Sequence, residues 1–133
     1  MKGQNIQKIK LSELELDRKN PRLPSKFGKK NLSKSDIVNW MLGDASIIEL
    51  MLAIGNSGFF IGEALLVVQE LNGKYTVIEG NRRLTSVILL NEPGLAKIHS
   101  KKVDQVIQGA THKPKKIPCI VFDERSEINK YLG

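Results

Sequence analysis

The segment YTVIEGNRRLTSVILL, residues 75–90, predicts a strand that turns directly into a helix. Residues 75–79 are typical of a strand, Gly80 interrupts them, and residues 81–90 repeat apolar side chains at helical spacing. Residues 64–71 predict a second strand just upstream. The two strands are joined by Asn72-Gly73, the strongest short hairpin signal in a sequence. The unit that decides the fold is therefore a β-hairpin followed at once by a helix.

The rest of the chain predicts more helices than strands. Ser33 or Ser35 caps one helix that ends at Gly43, and Ser46 with Glu49 has the spacing of a capping box for the next. The remaining predicted elements are an edge strand at 6–11, an end to the second helix at 55–58, a helix at 95–108, a strand at 117–122 and a short last helix from 123 or 126. We therefore expect an α+β, mixed α/β class, with a small mixed sheet and flanking helices.

Length and composition favour one intracellular domain. The chain has 133 residues, about the modal size of a single domain, and its abrupt stop after a helix start suggests a piece of a longer protein. No apolar run approaches the ~18 residues of a membrane span, and no secretory leader is evident, so we expect a cytoplasmic protein. The single cysteine, Cys119, lies among apolar residues and is expected in the core.

The net charge of +7 is concentrated near the N-terminus. Residues 1–34 hold ten Lys or Arg against three acids, whereas residues 35–133 are balanced. A second basic stretch, residues 97–116, holds six lysines and one aspartate. Such stretches either bind nucleic acid or form a solvated, solubilising surface, and the sequence leaves both alternatives open.

The turn at Gly80 is the best candidate for chemistry. Where a strand turns directly into a helix, free backbone N–H groups converge, and the helix dipole adds ~0.5 of a positive charge. Arg82 and Arg83 fall in the first helical turn, where their charges oppose the dipole unless an anion binds. Guanidinium groups hold phosphate oxygens bidentately, which favours a di- or triphosphate here. The alternative is that both arginines pair with Glu79 or other acids, and this also stays open.

Several polar residues near the turn are further candidates. Asn81 is a candidate helix cap, and Thr85 or Ser86 could offer a hydroxyl to a phosphate or a metal. Glu79 and Glu63 are isolated carboxylates that could act as a base or a metal ligand. No spaced set of metal ligands is present in the sequence, so no metal site is predicted.

Short motifs in a fixed order resemble the ParB N-terminal domain, which has the ParB/sulfiredoxin fold. Residues 80–84, Gly-Asn-Arg-Arg-Leu, resemble its Gly-Glu-Arg-Arg box, and residues 20–22, Asn-Pro-Arg, resemble its first box. Residues 48–54 followed by Gly58-Phe59-Phe60 resemble its helix that ends in Gly-Leu-Leu. The hairpin and residues 117–121 follow in the same order, so the resemblance spans nearly the whole chain.

The resemblance implies a nucleoside triphosphate at the helix that starts at Asn81, either CTP as in ParB or ATP as in sulfiredoxin, with Mg²⁺ left open. It adds Gly58 to the nucleotide-binding residues. Asn81 stands where sulfiredoxin has its reactive cysteine and where the ParB box has glutamate, so sulfinic-acid reductase activity is disfavoured. The resemblance also implies DNA as a partner, and contacts to DNA or phosphate are expected from basic residues near the N-terminus: Lys19, Arg22, Lys26, Lys29 and Lys30.

Three functions are compatible with these patterns. The favoured one is a nucleotide-binding switch or DNA-binding module in a DNA-associated protein. The second is a ParB-like nuclease or phosphotransferase in which Glu79 or Glu63 works with Mg²⁺, and the third is a binding module with an empty pocket. We expect DNA and a nucleotide as partners and no membrane, and we leave a homodimer open.

Overall fold

The computed structural model describes residues 5–20, 23 and 32–132. Within these residues one mixed sheet is flanked by helices, which confirms the predicted mixed α/β class. The strands are β1 (Ile6–Lys10), β2 (Leu14–Leu16), β3 (Leu65–Gln69), β4 (Tyr75–Glu79) and β5 (Lys116–Phe122). The helices are α1 (Lys34–Leu42), α2 (Ser46–Ser57), α3 (Asn81–Asn91), α4 (Ser100–Gly109) and α5 (Arg125–Leu132).

The sheet has the order β1-β5-β3-β4-β2. β3 and β4 form the predicted antiparallel hairpin, whose turn places Gly73 at a positive φ of 87° and lets Asn72 Oδ1 accept a hydrogen bond from Lys74 N at 2.9 Å. β5 lies between β1, to which it is antiparallel, and β3, to which it is parallel. The predicted strand at the N-terminus is therefore confirmed as an edge. The other edge, β2, is parallel to β4 and was not predicted.

The core lies mainly between the sheet and helices α1 to α4. Side chains alternate along β3, so Leu65 and Val67 face this core, whereas Leu66 faces the opposite side with Phe122 and Ile128 of α5. Every residue from 84 to 90 is buried, which makes α3 the central helix. The start of this helix lies directly after the end of β4.

Two predicted details of the helix ends were wrong, and a third was confirmed. Ser46 does not form a capping box, because it is the first residue of α2 and not the residue before the helix. The backbone N–H of Ser46 instead donates to Asp44 Oδ1 at 2.9 Å. The predicted end of this helix at 55–58 is confirmed, because α2 ends at Ser57 and Gly58 follows it at φ 85°, although Gly55 itself lies inside the helix. The helix predicted at 95–108 is shorter, because His99 takes a left-handed conformation (φ 53°) just before α4.

Within the described residues, no single helix has the length and hydropathy to cross a membrane. Among the described helices, only α1 and α2 taken together reach that length and composition, and they are bent by 101° where they meet.

Candidate functional site

Gly80 makes the connection between β4 and α3. It adopts φ 106° and ψ 21°, a region that glycine enters without strain. A Cβ at this position would lie 2.5 Å from Leu65 Cδ2 and 3.0 Å from Arg83 Nη2. The missing side chain therefore lets the guanidinium of Arg83 lie across the turn, and Leu84 N makes the first helical hydrogen bond, to Gly80 O at 2.9 Å.

An open cleft of about 290 Å³ lies at this turn. It brings together residues that were predicted to act together but are distant in sequence. Asn20, the first residue of the segment that resembles the first ParB box, also lines it. The predicted site residues that line the cleft are Glu63, Glu79, Gly80, Asn81, Arg82 and Arg83.

Gly58 lies outside this cleft. It lines a neighbouring recess of about 170 Å³, together with Phe59 and Phe60. The cleft and the recess share Leu50, Glu63 and Arg83. The helix ending at Gly58 is therefore adjacent to the arginine turn, with Arg83 on the boundary between the two spaces.

Both arginines pair with acids, although not with Glu79. Arg82 Nε lies 3.3 Å from Asp44 Oδ2, and both side chains are more than 40% exposed. Arg83 Nη1 lies 3.7 Å from Glu63 Oε2, at the edge of ion-pair distance. Exposed pairs of this kind contribute ~0–1 kcal/mol each. A phosphate can therefore replace either carboxylate at little cost.

Arg83 is the better placed of the two for a ligand. Its side chain is 23% exposed, and its Nε is buried without a hydrogen-bond partner among the described residues. A buried donor that makes no hydrogen bond costs ~1–3 kcal/mol. Arg83 also lines the cleft at Gly80, so its guanidinium is held at the start of α3 with little competition from protein acceptors.

Asn81 does not cap α3, because it is the first residue of the helix and its side chain is used elsewhere. Its Oδ1 accepts from Asp17 N at 3.1 Å, and its Nδ2 donates to Val77 O at 2.9 Å. The residue is only 8% exposed. Asn81 therefore joins three segments, namely the end of β2, strand β4 and the start of α3.

The isosteric change Asn81→Asp should lower the free energy of unfolding by about 1–3 kcal/mol. A carboxylate still accepts from Asp17 N, but it cannot donate to Val77 O, and it adds a negative charge in a buried position. Urea denaturation measures the change. The matched control is Asn72→Asp in the hairpin turn, where only the side-chain oxygen is used and the midpoint should stay constant. Equal midpoints for both variants would contradict the role given to Asn81.

Thr85 and Ser86 do not reach the cleft, so their predicted role as ligands is wrong in this structure. Both are fully buried. Thr85 Oγ1 donates to Asn81 O at 2.8 Å, and Ser86 Oγ donates to Arg82 O at 2.9 Å. The reason is that α3 is buried on almost every side, so its hydroxyls satisfy carbonyls one turn earlier instead of meeting a ligand.

A partly buried ion pair that is linked to Asn81 was not predicted. The carboxylate of Asp17 is 4% exposed and accepts two hydrogen bonds from the Arg125 guanidinium, at 2.8 and 3.0 Å. These hydrogen bonds raise the pKa of Arg125. Because Asp17 N also donates to Asn81 Oδ1, the pair connects α5 to the first residue of α3.

Two carboxylates face the cleft without forming a metal site. Glu63 and Glu79 are both exposed and both line it. Across the described parts of the chain, no group of three or more His, Cys, Asp or Glu side chains is arranged to hold a metal ion.

The remaining predictions fall in different places. Lys19 is exposed next to Asn20, whereas Arg22, Lys26, Lys29 and Lys30 lie outside the described residues. Cys119 is fully buried as predicted, and burial raises the pKa of its thiol to about 12. A neutral, inaccessible thiol is a poor nucleophile, so Cys119 serves the core.

These features define a mixed α/β protein with a cationic turn at the start of its central helix. No protein-family model matches the chain, and no curated protein sequence does either. Among solved structures, the chain is similar to the C-terminally truncated chromosome-partitioning protein ParB from Caulobacter crescentus complexed with CTP-gamma-S. The identity is 14% and the TM-score 0.49, over 92% of this chain and 47% of that chain.

The chain is also similar to sulfiredoxin from Arabidopsis thaliana, with 16% identity and a TM-score of 0.42 over 96% of this chain and 94% of that chain. ParB and sulfiredoxin are also the proteins that give their names to the fold in the sequence resemblance. The chain spans about half the length of the ParB chain that it matches. The likeness concerns fold alone, and the nucleotide in the ParB structure belongs to that protein.

Proposed function

We propose that this protein binds a nucleoside triphosphate, CTP or ATP, with the phosphates at the N-terminus of α3, and that it acts as a switch or DNA-binding module in a DNA-associated protein. The observation that carries the proposal is the state of Arg83. Its Nε is buried without a partner among the described residues, and the ion pair between its guanidinium and Glu63 is long. Because Arg83 lines the cleft, a phosphate bound there can replace Glu63 as the partner of its guanidinium.

The surroundings of Arg83 support an anion rather than a neutral ligand. The first N–H groups of α3 point out of the helix end, and the dipole favours negative charge there. Gly80 leaves room for the guanidinium of Arg83 to lie against the turn, which places its positive charge next to these N–H groups. Arg82, with an exposed and weakly paired guanidinium, adds a second fork for phosphate oxygens.

A panel of nucleotides tests the proposal. We expect CTP or ATP to raise the melting temperature, because a ligand at a hundred times its dissociation constant adds ~2.7 kcal/mol to the free energy of unfolding. Thermal shift and calorimetry with CTP, ATP, GTP and UTP, each with and without Mg²⁺, identify the base and the metal dependence. No shift with any nucleotide at millimolar concentration would overturn the proposal.

An enzymatic function is the second candidate, because Glu63 and Glu79 both line the cleft beside the arginines. A nuclease or phosphotransferase would use one of them as a base or to position Mg²⁺. Glu79→Gln should then abolish magnesium-dependent turnover of nucleotide or DNA while leaving nucleotide binding in place. Glu13→Gln, which removes an exposed acid outside the cleft, is the control. If chromatography recovers the nucleotide intact after incubation, the protein binds nucleotide without turning it over, which contradicts an enzymatic function.

A further inference from the structure

The two basic stretches of the sequence meet at one edge of the sheet. Antiparallel pairing of β1 with β5 places Lys10 opposite Lys116 and Lys8 opposite Pro118. Leu11 N donates to Lys115 O at 2.7 Å, which fixes the loop before β5 at the same edge. Lysines from opposite ends of the chain thus form one surface, here termed the lysine edge: Lys8, Lys10, Lys113, Lys115 and Lys116.

The charge of the lysine edge is not compensated locally. All five lysines are exposed, and none has a salt-bridge partner in the described part of the chain. Residues 1–12 and 105–122, which contain both strands and the loop, include no Asp or Glu. Like charges directly opposite each other, such as Lys10 and Lys116, destabilise a sheet. An external polyanion would relieve this repulsion.

An open cavity of about 430 Å³ lies against the lysine edge. Lys8, Lys113 and Lys116 line it together with His112, and none of its lining residues is acidic. It shares no lining residue with the cleft at Gly80. The lysine edge is therefore a second cationic surface without the arginines of the cleft, although Gly58, which was predicted to bind nucleotide, lines the cavity beside it.

We propose that the lysine edge binds the phosphate backbone of double-stranded DNA without reading its sequence. Duplex DNA carries one negative charge per ~1.7 Å of its axis, so a row of lysines meets several phosphates at once. Lys8 and Lys10 lie on the same face of β1, ~6.7 Å apart along the strand. The edge carries lysines, which act as point charges, and no arginine, the residue that most often reads bases.

Nucleic acid fits this surface better than a membrane does. Proteins that lie on membranes usually present an amphipathic helix with an apolar face, whereas the lysine edge is a paired strand and a loop. The proposal rests on the DNA-binding part of the proposed function but not on nucleotide binding, because none of the five lysines lines the cleft at Gly80. The test is therefore made on the full chain in the absence of nucleotide.

Fluorescence anisotropy with a labelled duplex of arbitrary sequence measures the predicted binding as salt is varied. The triple variant Lys8→Gln, Lys10→Gln, Lys116→Gln should lower affinity at least about tenfold, and it should lower the slope of log affinity against log salt by about 0.9 per lysine. A scrambled duplex should bind equally well. The matched control removes three other exposed lysines, Lys101→Gln, Lys102→Gln and Lys130→Gln, and should retain most of the affinity.

Several outcomes would overturn the proposal. One is an equal loss of DNA affinity in both triple variants. Another is a slope of log affinity against log salt that does not change in the Lys8, Lys10, Lys116 variant. A third is that this variant keeps its DNA affinity but no longer binds phosphatidylserine vesicles. Thermal melting shows whether the first triple variant is folded, and relief of the Lys10 and Lys116 repulsion should leave its melting temperature equal or higher. If it does not fold, Lys113→Gln in the loop, outside the strand ladder, provides the same test with a smaller expected loss.

Discussion

Replacing Gly80 by alanine should lower the free energy of unfolding by about 3–5 kcal/mol. Two costs combine at this position. The backbone at φ 106° is strained for any residue with a Cβ, and the added Cβ would lie 2.5 Å from Leu65 Cδ2. Leu65 is fully buried in the core and cannot move aside freely. Chemical denaturation of the variant and the parent chain measures the difference.

Two other glycines separate the two costs. Gly73 has a similar positive φ of 87° but nothing within 4 Å of an added Cβ, so Gly73→Ala should cost only about 1–2 kcal/mol from backbone strain. Gly94→Ala, with open space and no positive φ, should be close to neutral. If Gly80→Ala costs no more than Gly73→Ala, the close contact with Leu65 does not contribute to the loss of stability.

The double variant Arg82→Ala, Arg83→Ala should lower nucleotide affinity about a hundredfold or more, because hydrogen bonds to charged groups contribute ~1.5–3 kcal/mol each. The same variant should melt at the same temperature as the parent chain, or higher, when no nucleotide is present. Its lost ion pairs are long or exposed, and it no longer places two positive charges at the positive end of α3. Calorimetry gives the affinity and thermal melting gives the stability.

The chain offers a closely matched control in α4. Lys101 and Lys102 occupy the same two positions in the first turn of α4 that Arg82 and Arg83 occupy in α3. Lys101→Ala with Lys102→Ala removes the same charge from an equivalent helix end and should leave nucleotide affinity unchanged. If the arginine variant binds nucleotide normally, the arginine turn is not the phosphate site. A large loss of stability without nucleotide would assign both arginines a structural role instead.

The parts of the fold that local chemistry determines could be predicted from the sequence. The hairpin follows from Asn72-Gly73, and the start of α1 follows from Ser33, which forms a capping box with Asp36. β2 could not be predicted in this way, because it has three residues and owes its existence to pairing with β4. Asp44, rather than a serine at the expected spacing, satisfies the start of α2.

Within the site, only the role of the two arginines could be predicted from the sequence. Arg82 and Arg83 stand out because cations are unfavourable in the first turn of a helix. The partners of Asn81 could not be read from sequence, since Asp17 is 64 positions away, and the Asp17–Arg125 pair joins residues 108 positions apart. Thr85 and Ser86 were misassigned because the sequence does not show that α3 is buried nearly all round.

The pairing of β1 with β5 has a consequence for how the chain folds. Residues 6–10 must find residues 116–120, so this ladder closes a loop of almost the whole chain. Closing long loops is entropically slow, whereas the β3–β4 hairpin and the packing of α2 on α3 need only short ones. We therefore expect the β3–β4 hairpin and helix α3 to form first, and β1 to pair with β5 last. The cationic turn would then exist in a partly folded chain before the second basic surface is assembled.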